Sequence, residues 1–223
     1  MTNELCQLAV DWDGTVPDGG MMCDEKLDGF RAMYFAGIDG VPRLWTRAGM
    51  AIEGTEHIRH RLSLLEQVAG CRLFVDGEFV VDGALAATKT WCERGWRSGE
   101  QAGVFHAFDV LRFDDWRRGG SDMPLYERKA WLQQLIGAVD EDPALSWDWR
   151  EGSRGRDEDR PAVVIVPDEW IFNADDALDA ARRVWVRDGE GCMLKIADAP
   201  YARGRNGAWR KVKASGPWQR NVT

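Results

Sequence analysis

The chain has 223 residues, of which 44% are hydrophobic and 30% are charged, and its formal net charge is −8. This composition is typical of a soluble globular protein, and the acidic total argues against a protein that coats nucleic acid. No apolar run approaches the roughly 18 residues of a membrane helix, so we expect no contact with a membrane. Five scattered cysteines without a CxxC pair, and an N-terminus without an export signal, favour a cytoplasmic protein with reduced thiols.

Hydrophobic periodicity and turn-forming residues predict the order of helices and strands. A short apolar run at residues 8–10 comes first. The elements that follow are strands at 31–35 and 41–47, a helix between Thr55 and Gly70, strands at 72–81 and 105–113, a helix at 126–139, a strand at 162–166, a helix between Asn173 and Gly189, and strands at 191–196 and 208–214.

Local signals support these bounds. Ile38-Asp39-Gly40 is a tight-turn sequence between the first two strands. Thr55 and Asn173 are predicted N-caps, and Gly70 is a predicted C-cap. The polar residues 141–161 are expected to form a mobile loop. Because strands outnumber helices and turns join most of them, we predict one α+β domain over residues 1–223, with antiparallel β-sheets flanked by helices.

The stretch Lys26-Leu27-Asp28-Gly29-Phe30-Arg31 combines groups suited to nucleotide chemistry. If it is extended, Lys26 and Asp28 lie on one face. Gly29 lets the backbone bend close to a ligand, and Arg31 carries a fork that suits phosphate or ribose oxygens. The same stretch could also be a surface lysine and aspartate before a turn.

This stretch is the first of six segments that, in order, resemble motifs of the covalent nucleotidyltransferase superfamily. That superfamily comprises ATP-dependent DNA ligases, RNA ligases and mRNA capping enzymes. The other five segments are Thr46-Arg47-Ala48-Gly49, Asp76-Gly77-Glu78-Phe79, Phe108-Asp109-Val110-Leu111, Glu190-Gly191-Cys192-Met193-Leu194-Lys195 and Trp209-Arg210-Lys211-Val212-Lys213. Three further features favour the DNA ligases: the Glu190-Gly191 pair, the connector Tyr201-Ala202-Arg203-Gly204-Arg205, and Leu125-Tyr126-Glu127-Arg128.

The resemblance implies the ATP-grasp-like adenylation domain of a DNA ligase. In this chemistry Lys26 attacks the α-phosphate of ATP to form lysyl-AMP, and AMP then passes to a 5′-phosphate at a nick in double-stranded DNA for sealing. It also implies Mg²⁺ or Mn²⁺ at Glu78 and Glu190. The implied nucleotide-binding residues are Asp24, Lys26, Arg31, Arg47, Glu78, Phe108, Lys195, Arg205, Lys211 and Lys213.

The attacking amine must be uncharged, although free lysine has a pKa near about 10.4. Neighbouring cations and desolvation lower such a pKa, and Lys211 and Lys213 are the expected cations. The same two lysines would stabilise charge on the α-phosphate, and Phe108 would stack on adenine. Alternatively, Phe108 is a plain core residue, Lys211 and Lys213 lie on a solvated strand face, and Asp76-Gly77 is only a hairpin turn.

The expected partner is nicked DNA, weakly bound because the chain is acidic and few phosphate contacts are available. The family usually continues into an OB-fold domain with a basic motif, whereas only residues 214–223 follow Lys213. We therefore expect no OB-fold domain in this chain. We expect a monomer, with an additional OB-fold domain or a partner protein as a possible complement.

Two other functions fit parts of the sequence. The segment from Leu8 to Val16 resembles the first motif of haloacid-dehalogenase-type phosphatases, with Asp11 as nucleophile and Asp13 as general acid. That fold needs repeated strand–helix units and a later acidic pair, and neither is clear in this sequence. The second alternative is a nucleotide- or nick-binding relic without turnover, which would bind ATP and form no covalent adduct.

Overall fold

The structure is a computed structural model that describes residues 4–141, 161–214 and 218. Most of the predicted loop at 141–161 therefore lies outside the described residues. In chain order the elements are β1 (Gln7–Asp11), β2 (Met21–Glu25), β3 (Phe30–Ala36), β4 (Pro42–Thr46), α1 (Glu56–Ala69), β5 (Leu73–Val80), α2 (Leu85–Arg94), a 3₁₀ turn (Gly95–Ser98), β6 (Val104–Arg112), α3 (Phe113–Arg117), β7 (Gly120–Ser121), α4 (Leu125–Glu141), β8 (Val163–Ile165), β9 (Asp168–Ile171), α5 (Ala174–Trp185), β10 (Gly191–Ile196), β11 (Tyr201–Ala202) and β12 (Gly204–Lys213).

The chain divides into two compact units. Unit 1 consists of residues 1–28, 119–127 and 166–223, and unit 2 consists of residues 29–118 and 128–165. The division falls between Asp28 and Gly29, inside the lysine-containing motif. Within the described part of the chain, no helix is long and apolar enough to cross a membrane.

Unit 1 is built on a five-stranded sheet in the order β1-β12-β10-β2-β9. β1 runs parallel to β12, and the other neighbours are antiparallel. One face of the sheet packs against α5 and buries Cys23, Leu194 and Val212. Because side chains alternate along a strand, the opposite face carries the row Asp24, Met193 and Lys211, which are directly paired across β2, β10 and β12.

Unit 2 is built on a second five-stranded sheet in the order β4-β3-β5-β6-β8, in which only β8 pairs in parallel. One face forms an apolar core with α1, α2 and α4 that includes Tyr34, Leu62 and Leu132. Arg31 and Phe35 lie on the other face. There the Phe35 ring packs against Trp116, with the ring centroids 4.6 Å apart.

The predicted caps have different outcomes. Gly70 ends α1 in the left-handed conformation, with φ of 63°, and the Asn173 side chain accepts a 2.9 Å hydrogen bond from the Asp176 N–H at the start of α5. Both predictions are confirmed. Thr55 precedes α1, but its hydroxyl donates to the Ile52 carbonyl at 2.9 Å. The predicted side-chain cap is wrong because the buried hydroxyl bonds to a carbonyl of the preceding turn and not to an N–H of α1.

The predicted α+β class and antiparallel-rich sheets are confirmed, and the predicted strands and helices are all present within a few residues. Asp76-Gly77 lies inside β5, so the hairpin-turn alternative is wrong. The predicted strand that ended at Phe113 stops one residue earlier, because α3 begins there. The elements that sequence reasoning missed are β2, β7, β9, β11, α2 and α3.

Candidate active site

Lys26 lies in a short loop, because β2 ends at Glu25 and β3 begins at Phe30. Residues 26–29 are therefore not part of a strand, so strand alternation does not decide whether Lys26 and Asp28 share a face. The Lys26 N–H donates to the Gly191 carbonyl at 2.8 Å, which joins the loop to the start of β10. The side-chain amine lies 2.5 Å from Glu190 Oε2.

Glu190 connects two of the predicted site lysines within unit 1. Its Oε2 faces the Lys26 amine, and its Oε1 lies 2.9 Å from the Lys213 amine. Gly191 follows with φ of 133°, and a Cβ atom there would lie 1.9 Å from the Val212 carbonyl oxygen. Only glycine fits this position, and the close approach of Gly191 to β12 places Glu190 directly beside that strand. We call Lys26, Glu190 and Lys213 the lysine–glutamate cluster.

The charges of this cluster change the acidity of Glu190. Partial burial would by itself raise the pKa of its carboxyl, but hydrogen bonds from Lys26 and Lys213 outweigh burial and hold the pKa below its ordinary value of 4.5. At neutral pH Glu190 is therefore an anion that bridges two cations.

This arrangement predicts a pH-dependent contribution to stability. Because the Glu190 pKa is lower in the folded chain than its ordinary 4.5, the bridge stabilises the fold above that value. The contribution is lost as the pH falls through the lower folded-state pKa, and solvent exposure limits its size. Thermal unfolding of the wild type and Glu190→Gln from neutral to acidic pH measures it. The Tm difference should shrink in acid, and a difference independent of pH would contradict the expected contribution.

Lys211 lies on β12 and pairs with Asp11 at 3.2 Å. Its neighbour Arg210 pairs with Asp13 at 2.7 Å, and Asp13 also accepts hydrogen bonds from the N–H and hydroxyl of Thr15. Lys211 and Lys213 are thus ion-paired, which disfavours a merely solvated strand face. The two aspartates instead join the β1 end to β12. This geometry, in a sheet of mostly antiparallel strands, does not favour the phosphatase interpretation.

Asp24 and Lys195 form an ion pair across β2 and β10, and both side chains are only 2% exposed. The Lys195 amine also lies 4.7 Å from the centroid of the Trp209 ring. These two predicted site residues therefore lie on the sheet face opposite α5. Arg205 is exposed, and its guanidinium donates to the Ala9 carbonyl at 2.6 Å, so one of its contacts holds β1.

The predicted site residues of unit 2 centre on Arg31. Asp76 accepts two hydrogen bonds from the Arg31 guanidinium, each at 2.7 Å. The same guanidinium lies 4.6 Å from the centroid of the Phe108 ring, and Glu78 is the direct cross-strand neighbour of Arg31. Phe108 is 9% exposed. This burial fits a core residue, and it also fits a ring that contacts a ligand along its one exposed edge. Arg47 is exposed in the turn after β4.

Sequence reasoning missed three residues that position this face. Asp76 fixes Arg31, and Asp109 binds Arg128 through two hydrogen bonds at 2.7 and 2.9 Å. Asp76, Asp109 and Arg128 are almost completely buried. The sequence signal for the two acids was the aspartate in each of the D-G-E and F-D segments. A carboxylate that is buried needs a cation as its partner. The only sequence signal for Arg128 was its place in the ligase-like segment Leu125-Tyr126-Glu127-Arg128, which forms the start of α4.

The two predicted metal ligands lie in different units, Glu78 in unit 2 and Glu190 in unit 1. Among the described residues, no group of three or more His, Cys, Asp or Glu side chains is arranged to hold a metal ion. Carboxylate oxygens are nevertheless the donors that Mg²⁺ and Mn²⁺ prefer, and such sites commonly take their remaining ligands from phosphate and water. The donor chemistry of Glu78 and Glu190 therefore fits the implied cation.

Comparison with known proteins places these motifs in a family. Residues 14–213 match the family model described as the ATP dependent DNA ligase domain. A probable DNA ligase of Streptomyces avermitilis is 29% identical over 87% of this chain and 35% of its own length. A probable DNA ligase of Saccharopolyspora erythraea is 30% identical over 88% of this chain and 34% of its own length. The chain thus spans about a third of the curated relatives that it matches.

A solved structure supports the fold. The ATP-dependent DNA ligase from bacteriophage T7, in complex with ATP, superposes with a TM-score of 0.69. It is 14% identical to this chain, and the match covers 95% of this chain and 69% of that one. The α+β architecture is therefore that of these ligases. Because the family model spans nearly the whole chain, including the lysine–glutamate cluster, the chain belongs to the ATP-dependent DNA ligase domain family.

Proposed function

We propose that this chain performs the nucleotidyl-transfer steps of an ATP-dependent DNA ligase, with residues 1–223 acting together as its adenylation domain and Lys26 as the nucleophile. One observation carries the proposal: Glu190 holds the Lys26 amine and the Lys213 amine within one ion-paired cluster. This is the grouping of amine, acid and second cation that covalent transfer from a triphosphate requires. Family membership and the ATP complex of the T7 relative support ATP as the substrate.

In the first step, the Lys26 nitrogen attacks the α-phosphorus of ATP. A nitrogen–phosphorus bond forms, the bond from the α-phosphorus to the bridging oxygen breaks, and pyrophosphate leaves with the electron pair. The amine loses its protons to solvent over the step. Before ATP binds, the Lys26 amine is held in the ion pair with Glu190. Glu190 must therefore release Lys26 before the bond forms.

The lysines of β12 then supply the positive charge that the triphosphate needs. Lys213 already lies beside Glu190, and Lys211 lies two residues away on the same side of the strand. Their amines are suited to bind the triphosphate and to stabilise negative charge that develops on the α-phosphate. Glu78 and Glu190 would hold Mg²⁺ or Mn²⁺, which would supply further positive charge next to the phosphates.

The residues of unit 2 are proposed to bind the nucleoside. Asp76 fixes the orientation of Arg31 through two hydrogen bonds, and a guanidinium fork is suited to bind a phosphate or ribose oxygen. Phe108 would stack on adenine, held in place by the Arg31 guanidinium over its ring. Asp24, Arg47, Lys195 and Arg205 complete the proposed nucleotide-binding set. For Asp24 and Lys195 this role requires the buried pair to act mainly by shaping the site.

In the second step, an oxygen of the 5′-phosphate at a DNA nick attacks the phosphorus of lysyl-AMP, and the nitrogen–phosphorus bond breaks to free Lys26. The 3′-hydroxyl then attacks the 5′-phosphorus of the adenylated DNA, AMP leaves, and the strand is sealed. The acidic chain predicts weak DNA binding that falls with salt. The test is to incubate adenylated protein with a nicked duplex that carries a 5′-phosphate and to resolve the strands on a denaturing gel. Adenylated DNA is the expected product. Transfer to RNA ends alone would assign the chain to RNA ligation instead.

Replacement of Glu190 by glutamine should separate the two roles of this acid. The amide keeps the size of the side chain but loses the charge that binds a cation, so we expect self-adenylation to slow about 100-fold. The rate of radiolabel transfer from ATP, measured across a range of Mg²⁺ concentrations, gives the result. A slower variant that also needs more Mg²⁺ supports metal binding by Glu190, whereas an unchanged rate contradicts both roles.

The non-catalytic alternative makes an opposite prediction about the product. A relic would retain ATP binding, measured by calorimetry, while its intact mass stays unchanged after incubation with ATP and Mg²⁺. The presence of the lysine, the acids and both β12 cations in this chain argues for turnover.

A further inference from the structure

Three exposed aromatic side chains lie together in unit 1, away from the lysine–glutamate cluster in sequence. Tyr126, Trp170 and Phe172 are 41%, 45% and 62% exposed. The Trp170 and Phe172 rings are stacked with centroids 5.7 Å apart, and Tyr126 lies 6.4 Å from Trp170. Contiguous exposed apolar surface of this kind commonly marks an interaction site. We call these three residues the aromatic patch.

The aromatic patch lies on a strand at the end of a sheet. β9 pairs with β2 on one side, and among the residues that the structure describes no strand pairs with its other side. Trp170 and Phe172 are two residues apart and flank the buried Ile171, so they project to the side opposite the α5 core. An edge strand offers N–H and C=O groups that can bind an added strand, and the patch supplies side-chain contacts beside them.

The surroundings of the aromatic patch are acidic. The Tyr126 hydroxyl donates to Glu127 at 3.1 Å, and this hydrogen bond, together with charge from Glu127 and Asp198, raises the pKa of Tyr126. Asp198 and Phe172 approach the same turn: a Cβ atom on Gly19 would lie 3.5 Å from the Asp198 carboxylate, and one on Gly20 would lie 3.0 Å from the Phe172 ring.

A third acid, Asp18, is exposed in that turn. Within the described ranges, no lysine or arginine forms an ion pair with Asp18, Glu127 or Asp198. This charge excludes a nucleic-acid strand as occupant, because binding of single strands on aromatic side chains needs a positive groove for the phosphates. A second copy of the chain would bring the same acids into contact, which also disfavours self-association.

We propose that the aromatic patch and the edge of β9 dock an extended, basic segment of a partner protein. The segment adds as a strand to β9 through main-chain hydrogen bonds, and its lysine or arginine side chains lie over the aromatic rings and near the three acids. The aromatic patch lies on the same face of the unit 1 sheet as Lys195, but the docking uses the edge of β9 and neither ATP nor Lys26. Binding is therefore measured without nucleotide, and its outcome is independent of the ligase assignment.

The probe is a fluorescein-labelled peptide of about eight residues that alternates lysine with valine, a length that suits one strand. Binding to the full chain is followed by fluorescence anisotropy. Trp170→Thr keeps a strand-forming residue but removes the ring, and we expect it to weaken binding at least about tenfold. The matched control is Val186→Thr, which changes another exposed apolar residue in unit 1 and should bind as the wild type does. Equal Tm values establish that both variants are folded.

Two further comparisons test the chemistry of the occupant. A peptide with glutamate in place of lysine should not bind, and Glu127→Gln with Asp198→Asn should weaken binding and reduce its salt dependence. A lysine–valine peptide that is N-methylated at every residue should lose binding, because no main-chain N–H group remains to pair with β9 along either edge. The proposal is overturned by no binding to the wild type, by equal binding to Trp170→Thr or to the methylated peptide, or by self-association in sedimentation that depends on Trp170.

Discussion

Replacement of Lys26 by arginine is expected to abolish covalent labelling of the chain by ATP. Arginine retains the positive charge and can keep an ion pair with Glu190, so the fold and the charge of the cluster should persist. A guanidinium remains protonated, so it cannot supply the lone pair that attacks the α-phosphorus. We expect no adduct in the intact mass after incubation with ATP and Mg²⁺, a loss of at least about a thousandfold in rate.

A matched lysine provides the control for this variant. Lys89 is exposed on α2, where it pairs only loosely with Glu93 at 3.8 Å, and Lys89→Arg should label at the wild-type rate. Tm values for both variants would confirm that neither change disturbs folding. Labelling of Lys26→Arg at a rate close to that of the wild type would remove Lys26 from the proposed chemistry and would direct the search to another nucleophile.

Replacement of Arg128 by methionine is expected to cost about 3–5 kcal/mol of the free energy of unfolding. Arg128 and Asp109 are 1% and 0% exposed, and two hydrogen bonds join them. Methionine has a similar size but no charge, so the Asp109 carboxylate would be left buried without its cation. The loss follows from this desolvated charge rather than from the removed contact alone. Urea unfolding, with unchanged m-value, gives the free energy.

An exposed ion pair shows what the same change costs at the surface. Arg182 pairs with Asp179 one turn away on α5, and Arg182→Met should change the free energy of unfolding by less than about 1 kcal/mol. Combining Arg128→Met with Asp109→Leu removes both charges, and this double variant should recover most of the lost stability. Equal costs for the two single variants, or no recovery in the double variant, would contradict the electrostatic explanation.

Much of the fold was predictable because its signals are local. The alternation of apolar residues, the Asn173 cap and the left-handed Gly70 each depend on a few neighbouring residues. Thr55 has the same kind of local signal, yet its hydroxyl bonds to Ile52 because the chain around it is buried. β9 was missed for a related reason: its sequence Asp-Glu-Trp-Ile has no apolar alternation, and its place is set by pairing with β2.

The candidate site depends on contacts that no local pattern contains. Lys26 and Glu190 are separated by most of the chain, and their pairing follows from the antiparallel register of β2, β10 and β12. Family resemblance predicted that these residues act together, but spacing alone did not. The division of the chain between Asp28 and Gly29 was also invisible in the motif, since the six residues read as one continuous unit. Asp76 and Asp109 lie in recognisable segments, but their role as positioning residues follows only from the contacts with Arg31 and Arg128.

The most direct test of the central claim is the mass of the wild-type protein after incubation with ATP and Mg²⁺, followed by peptide mapping. The account predicts a gain of one adenylate, located on Lys26, and release of pyrophosphate. An unchanged mass, or an adenylate on another residue, would contradict the claim that the amine beside Glu190 is the nucleophile.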